Sequence, residues 1–189
     1  MKQNGKPRRV VITGMGVVSP LGSELETFWR RLVAGESGIG RVTRFDTTGY
    51  DTTIAGEVQG FKAEDYLDRK EVRRADLFVQ FAIGAAVQAT KHAGVSPETV
   101  DPTRWGVIVG SGIGGIGTFE EQHRALLEKG PGRVSPFFIP MMISDMASGQ
   151  VSIQLGAKGP NYCTVSACAS GAHAIGTSAY FGPSPPACR

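Results

Sequence analysis

Apolar residues along this chain fall into two kinds of stretch: short β-branched runs and longer segments that repeat at helical spacing. The first run, Arg9-Val10-Val11-Ile12-Thr13, is followed by Gly14, Gly16 and Ser19-Pro20-Leu21-Gly22. It reads as a buried strand over 9–13 that leads into a turn. Ser23 with Glu26 three positions on is a capping-box pattern, and Leu25, Phe28, Trp29, Leu32 and Val33 then recur at helical spacing until Gly35. A helix is predicted over 24–34. From Gly35 to Lys70 the periodicity weakens and Thr, Gly and Asp become frequent, which predicts irregular surface structure with one strand at 53–58.

Beyond Lys70 the pattern sharpens. Asp76 can cap a helix in which Phe78, Phe81, Ala82, Ala85, Ala86 and Ala89 form one small apolar face before Gly94. A second buried strand is predicted at 105–109, then a glycine-rich turn over 110–117 and a helix over 118–128. The segment 136–155 carries Ile139, Met142, Ile143, Met146, Val151 and Ile153, mostly at helical spacing. A third strand is predicted at 161–166, and the small residues from Ala167 to Gly176 suit a tightly packed, buried helix running to Phe181. Strands alternating with helices imply an α/β fold. Residues 1–181 read as one domain. The final segment, 182–189, has three prolines in four residues, which forbids helix and predicts a disordered tail.

Composition narrows the function classes. The chain has 189 residues, 41% of them apolar, enough for one compact core. The first nine residues are polar and basic, and the apolar run after them is broken by glycines, so neither a signal peptide nor a membrane span is expected. Three cysteines are too few for a disulfide framework and point to a reducing compartment, with the cytoplasm as the expected location. A net charge of +3 suits an acidic partner but falls short of a nucleic-acid footprint.

Cys168 follows a predicted strand and opens a predicted helix. Unpaired backbone amides and the helix dipole favour negative charge there, so thiolate is the form such a site stabilises. A nucleophile and a small buried cysteine are equally good readings of that position alone. Cys163 and Cys188 read as structural or incidental. Gly110-Ser-Gly112-Ile-Gly-Gly115 matches a dinucleotide-binding pattern after a strand, but no acidic strand end follows at the required distance, so the glycines read as a close-packing turn and no cofactor is expected. His92, His123 and His173 have no metal-ligand spacing, and no metal is expected. His173, five residues along the helix from Cys168, is rotated about 500° and points away from it. On charge alone, Lys70, Arg73 and Arg74 beside Arg69 read as a solvated surface.

The segment Val165-Ser-Ala-Cys168-Ala-Ser-Gly-Ala-His173-Ala-Ile-Gly176 closely resembles the nucleophile motif of the β-ketoacyl-[acyl-carrier-protein] synthase family, especially its type II members. Arg9 to Gly22, Gly106 to Gly115, Ser135-Pro-Phe-Phe-Ile-Pro140 and Gly156-Ala-Lys-Gly-Pro-Asn161 each resemble family segments in family order. The resemblance covers residues 8 to 181 and raises Cys168 above the bland reading. It implies a thiolase-like layered α/β sandwich, incomplete here because only the N-terminal half is matched, and a homodimer. It further implies that Cys168 takes an acyl group from acyl carrier protein, with its own amide as one arm of the oxyanion hole. Ile113, Phe138 and Met142 match acyl-pocket positions. Lys70, Arg73, Arg74 and Arg133 match a basic patch that docks the acidic carrier.

In the family, two histidines then assist decarboxylation of malonyl carrier protein and carbon–carbon bond formation. Those histidines, a lysine and a glycine-rich loop belong to the second half, so the expectation is a truncated chain that does not condense substrates alone. Asp145 stands where family members often carry Asn. Three rivals stay open: a non-catalytic carrier-binding or dimerising remnant, a polyketide ketosynthase fragment, and, on the glycine loop alone, a nucleotide-binding oxidoreductase.

Overall fold

The computed structural model describes residues 9–181, together with two short strands before them. These are β1 (Lys2–Gln3) and β2 (Lys6–Pro7), which pair antiparallel. Helix α1 (Leu25–Val33) comes next, then an antiparallel pair of β3 (Gly40–Arg41) and β4 (Ile54–Ala55). Two helices follow, α2 (Arg69–Val72) and α3 (Leu77–Ala93). Strand β5 (Val107–Gly110) leads to α4 (Ile116–Lys129), α5 (Phe138–Met142) and α6 (Met146–Leu155). Strand β6 (Asn161–Thr164) and α7 (Ser170–Phe181) complete the described chain.

Helix α3 organises the core. Asp76 caps it by accepting from the Phe78 amide, and Gly94 ends it at φ 64°, a left-handed conformation that costs glycine little. Val79 and Ile83 are 1% and 2% exposed and pack with Leu67, with Val107 of β5, and with Ala147 and Val151 of α6. Each fully buried aliphatic side chain contributes about 1.5–3 kcal/mol. β5 and β6 form a parallel ladder in the register Val107↔Asn161 to Gly110↔Thr164. A parallel pair needs a long crossover, here supplied by α4, α5 and α6. The ladder ends side by side at Gly110 and Thr164, so the loops after both strands emerge together.

Several local expectations are corrected. The run 9–13 joins no strand ladder among the described residues, and Val10, Val11 and Ile12 are 56%, 67% and 81% exposed. The extended chain after it lies instead on α3. The Met15 and Val17 amides donate to His92 Nδ1 and Gln88 Oε1, at 3.1 and 3.2 Å. A Cβ on Gly16 would stand 2.0 Å from the Ala85 carbonyl oxygen, so only glycine permits this approach. The Ser23 capping box does not form. Helix α1 starts one residue late with Glu24 as its cap, which puts Glu26 out of reach, and Ser23 Oγ is buried without a hydrogen-bond partner among the described residues. The strand expected at 53–58 pairs only over Ile54–Ala55. The segment 136–155 splits into α5 and α6 because Ile143 is extended (ψ 140°). The helix after Ala167 is less buried than its small residues implied: Ala174 is covered, whereas Ile175 and Tyr180 are 72% and 58% exposed. The tail expected to be disordered lies outside the described residues.

Candidate active site

Cys168 lies in a 3-10 turn, Ala167–Ala169, between β6 and α7. It therefore precedes the α-helix proper instead of sitting in its first turn. Ala167 adopts φ 50° and is the sole non-glycine residue at positive φ among the described residues. For an L-residue that conformation costs about 1–2 kcal/mol. The turn throws the Cys168 side chain outward, and the thiol is exposed. The Ala169 amide donates to the Ser166 carbonyl at 3.0 Å and the Ser170 amide donates to that of Ala167. The Cys168 N–H takes part in neither bond.

Hydroxyls tie the turn down. Ser170 Oγ, in a residue 3% exposed, donates to the Ala167 carbonyl at 2.8 Å and accepts from the Ser166 amide at 2.9 Å. Thr164 Oγ1 donates to the Ser170 carbonyl at 2.8 Å. His173 Nδ1 lies 2.6 Å from Ser166 Oγ, so its partner is this serine. Sequence reasoning missed Ser166 and Ser170, because the small residues of this stretch predict a helix and carry no sign of the strained turn.

The glycine loop is filled by protein. A Cβ on Gly110 would meet the Ser170 carbonyl carbon and oxygen at 2.3 Å, and one on Gly115 would meet the Met141 carbonyl oxygen at 2.3 Å. The Gly115 amide also donates to the Met142 carbonyl at 2.8 Å. These contacts seat the start of α7 on β5 and the end of α5 on the loop, which is the close-packing role.

Beside this loop an apolar groove of about 350 Å³ is lined by Ile113, Ile116, Phe119, Met142, Ile143 and Ser144. Two of the three residues matched to an acyl pocket, Ile113 and Met142, meet there. Phe138 does not line it but stands behind Phe119, with ring centroids 6.1 Å apart. Gly112, next to Ile113, faces the Ala167 backbone with room for a Cβ at 3.6 Å, so the loop that supplies Ile113 to the groove runs beside the turn that carries Cys168. Ile116 and Phe119 went unread, although the spacing of 113, 116 and 119 is a helical signal.

The basic residues are exposed at the other end of α5. Lys70 lies in α2 and Arg73 just after it, its Nε donating to the Arg69 carbonyl at 3.2 Å. The Arg74 guanidinium sits 4.4 Å above the centre of the Phe137 ring, and Arg133 ends the short 3-10 turn that precedes α5. Among the described residues none of these four has a carboxylate partner; the ion pairs there are Arg31–Glu36 and Arg124–Glu120. Cys163, half-buried in β6, is the second described thiol. Burial pushes its pKa up, and the negative charge of Asp145 adds to the rise against a backbone hydrogen bond at Ser111. Among the described residues no group of three or more His, Cys, Asp or Glu is placed to hold a metal, and no helix is long and apolar enough to cross a membrane.

A parallel strand pair whose two ends present a glycine turn and a strained cysteine turn is the arrangement of a thiolase-like half-domain. The chain belongs to the β-ketoacyl synthase family, whose N-terminal domain model matches residues 7–180. It is 53% identical over 176 residues to 3-oxoacyl-[acyl-carrier-protein] synthase 2 of Staphylococcus aureus (strain COL), covering 93% of this chain and 42% of that protein. The like-named Synechocystis protein is 49% identical over 92% of this chain and 42% of its own length. Among solved structures, a β-ketoacyl synthase from Burkholderia phymatum STM815 has a TM-score of 0.77 at 28% identity, over 92% of this chain and 43% of that one. A type II polyketide ketosynthase, solved with its acyl carrier protein, shares the fold at a TM-score of 0.76 and 24% identity, over 90% and 46% of the two chains. The chain thus spans about 42% of the length of these two curated relatives.

Proposed function

We propose that this chain carries the acyl-accepting half-site of a β-ketoacyl-[acyl-carrier-protein] synthase of fatty acid elongation, with Cys168 as the nucleophile. The observation that carries the reading is the exposed thiol on the strained turn at the start of α7, beside an apolar groove. The Cys168 sulfur attacks the thioester carbonyl of an acyl chain held on the carrier. The carbonyl oxygen takes up negative charge, and the Cys168 N–H, outside the bonds of the 3-10 turn, donates to it. The carbonyl re-forms as the bond to the carrier sulfur breaks. The carrier leaves as a thiol with the proton given up by Cys168, and the acyl group stays on the enzyme. Ile113, Met142, Ile116 and Phe119 take the alkyl chain out of water, worth ~0.8 kcal/mol for each CH₂ buried. Phe138 backs that wall through Phe119.

Lys70, Arg73, Arg74 and Arg133, exposed and without carboxylate partners among the described residues, form the docking patch for the acidic carrier. Condensation with malonyl carrier protein uses the two histidines that the resemblance places in the family's second half, so the activity proposed for residues 1–181 is acyl transfer to Cys168. The large exposed apolar surface supports assembly with a second copy, and the low cysteine number supports a cytoplasmic setting. The names of the relatives favour fatty acid over polyketide synthesis.

The test is intact-mass analysis after exposing the folded chain to acyl carrier protein loaded with a long acyl group. An adduct on the wild type that is absent from Cys168→Ala is the expected outcome. Folded wild type that takes up no acyl group overturns the reading in favour of a carrier-binding module.

A further inference from the structure

We propose that Ser170 is a positioning residue for Cys168, its buried hydroxyl bracing the strained turn that presents the thiol. The proposal deepens the nucleophile reading and rests on it for its functional meaning. Ala167 directly precedes Cys168 and holds φ 50°. An alanine relaxes to the right-handed region unless its surroundings over-determine the left-handed one. Ser170 supplies that constraint from two sides. Its Oγ donates to the Ala167 carbonyl and accepts from the Ser166 amide, so one hydroxyl ties both backbone groups flanking the forced torsion.

The brace is itself anchored. Thr164 Oγ1 donates to the Ser170 carbonyl and fixes it to the end of β6. The missing side chain of Gly110 lets the Ser170 carbonyl rest against β5, where a Cβ would leave no room. At 3% exposure, Ser170 meets little competition from water for its two bonds. The Ser166 side of the turn is held again by the contact between its Oγ and His173 Nδ1, which links the turn to the body of α7. Cys168 itself takes no side-chain bond in this network. Its neighbours are fixed while its thiol projects into solvent.

The test compares the full chain with its Ser170→Ala variant by two readouts. The HN–Hα coupling and carbon shifts of Ala167 report the sign of its φ. Iodoacetamide alkylation with peptide mapping gives the labelling rate of Cys168 relative to Cys163, the β6 thiol serving as internal standard for general loosening. Expected is a folded variant in which Ala167 moves to negative φ and the Cys168:Cys163 ratio falls by about threefold or more, the effect of one net hydrogen bond. A folded variant that keeps positive φ at Ala167, or whose ratio falls less than that, overturns the proposal. Should Ser170→Ala not fold, Thr164→Val, which removes only the hydroxyl anchoring the Ser170 carbonyl, is judged by the same criteria. If wild type instead takes no acyl group from carrier protein, the nucleophile reading fails while both readouts still decide the brace.

Discussion

At the scale of single residues, the site depends on where side chains are absent as much as on where they are present. Gly110→Ala would push a methyl group to within 2.3 Å of the Ser170 carbonyl. Neither partner is a flexible side-chain end, so strand and helix must separate. A loss of about 3 kcal/mol is expected in urea unfolding, at the upper end of overpacking costs. Apart from its own helix backbone and chain neighbours, Gly149, inside α6, has no heavy atom of the described residues within 4 Å of an added Cβ. Gly149→Ala should therefore raise stability by about 0.5–1 kcal/mol through helix propensity alone. The cysteines separate by environment. Cys163 is half-buried and its pKa is raised by burial, whereas Cys168 is exposed. In the unfolded chain the Cys163 thiol ionises before the folded one does. The unfolded state then binds fewer protons, and stability falls as pH rises through the ordinary thiol range. Cys163→Ala should flatten that alkaline decline, a comparison made by thermal unfolding across the range.

At the scale of elements, legibility follows how local the determining forces are. Helix α3 was readable end to end because its cap, its apolar face and its terminal glycine all lie within its own sequence. Strand β6 was readable from the short stretch that follows Gly159-Pro160, and β5 from a β-branched run between Gly106 and Gly110. The run 9–13 has the same composition, yet a strand exists only where a partner offers a ladder, and its sequence says nothing about a partner. The cap of α1 was misplaced by one residue because neighbouring Ser23 and Glu24 both precede an apolar run. The turn at Ala167 was illegible for a related reason: its φ is held by Ser170 and Thr164, while its own residues favour helix. Cys168 was found through a motif, and the brace that holds it was not. Asp76 shows how one cap can serve two elements. Its Oδ1 accepts from the Phe78 amide of α3, and its Oδ2 accepts from both the amide and hydroxyl of Thr118 in α4, at 3.1 and 2.6 Å. Asp76→Ala removes the cap and leaves the 5% exposed Thr118 unpaired. A loss of about 2–4 kcal/mol is expected, as the cost of a cap plus a stranded buried donor, measured by chemical denaturation.

At the scale of the molecule, apolar side chains are unevenly covered. Among the described residues, large apolar side chains stand exposed at Val10 to Ile12, on the outer face of α7 at Ile175 and Tyr180, and at Val165 beside the cysteine turn. Contiguous exposed apolar surface drives association. Ile12, at 81% exposure, contributes little to the stability of the isolated chain, so Ile12→Asp should change unfolding free energy by less than about 0.5 kcal/mol. The same substitution places a charge in any surface that buries this run, which is costly without a partner charge. Sedimentation should therefore show wild type associating at micromolar concentration and Ile12→Asp shifted toward monomer. Unchanged sedimentation would place the association elsewhere, with Ile175→Asp as the next position to change. If Ile175→Asp abolishes association, the covering protein must approach α7 within a helix length of Cys168, and the same contact that hides apolar surface would also shield the acylated thiol from water.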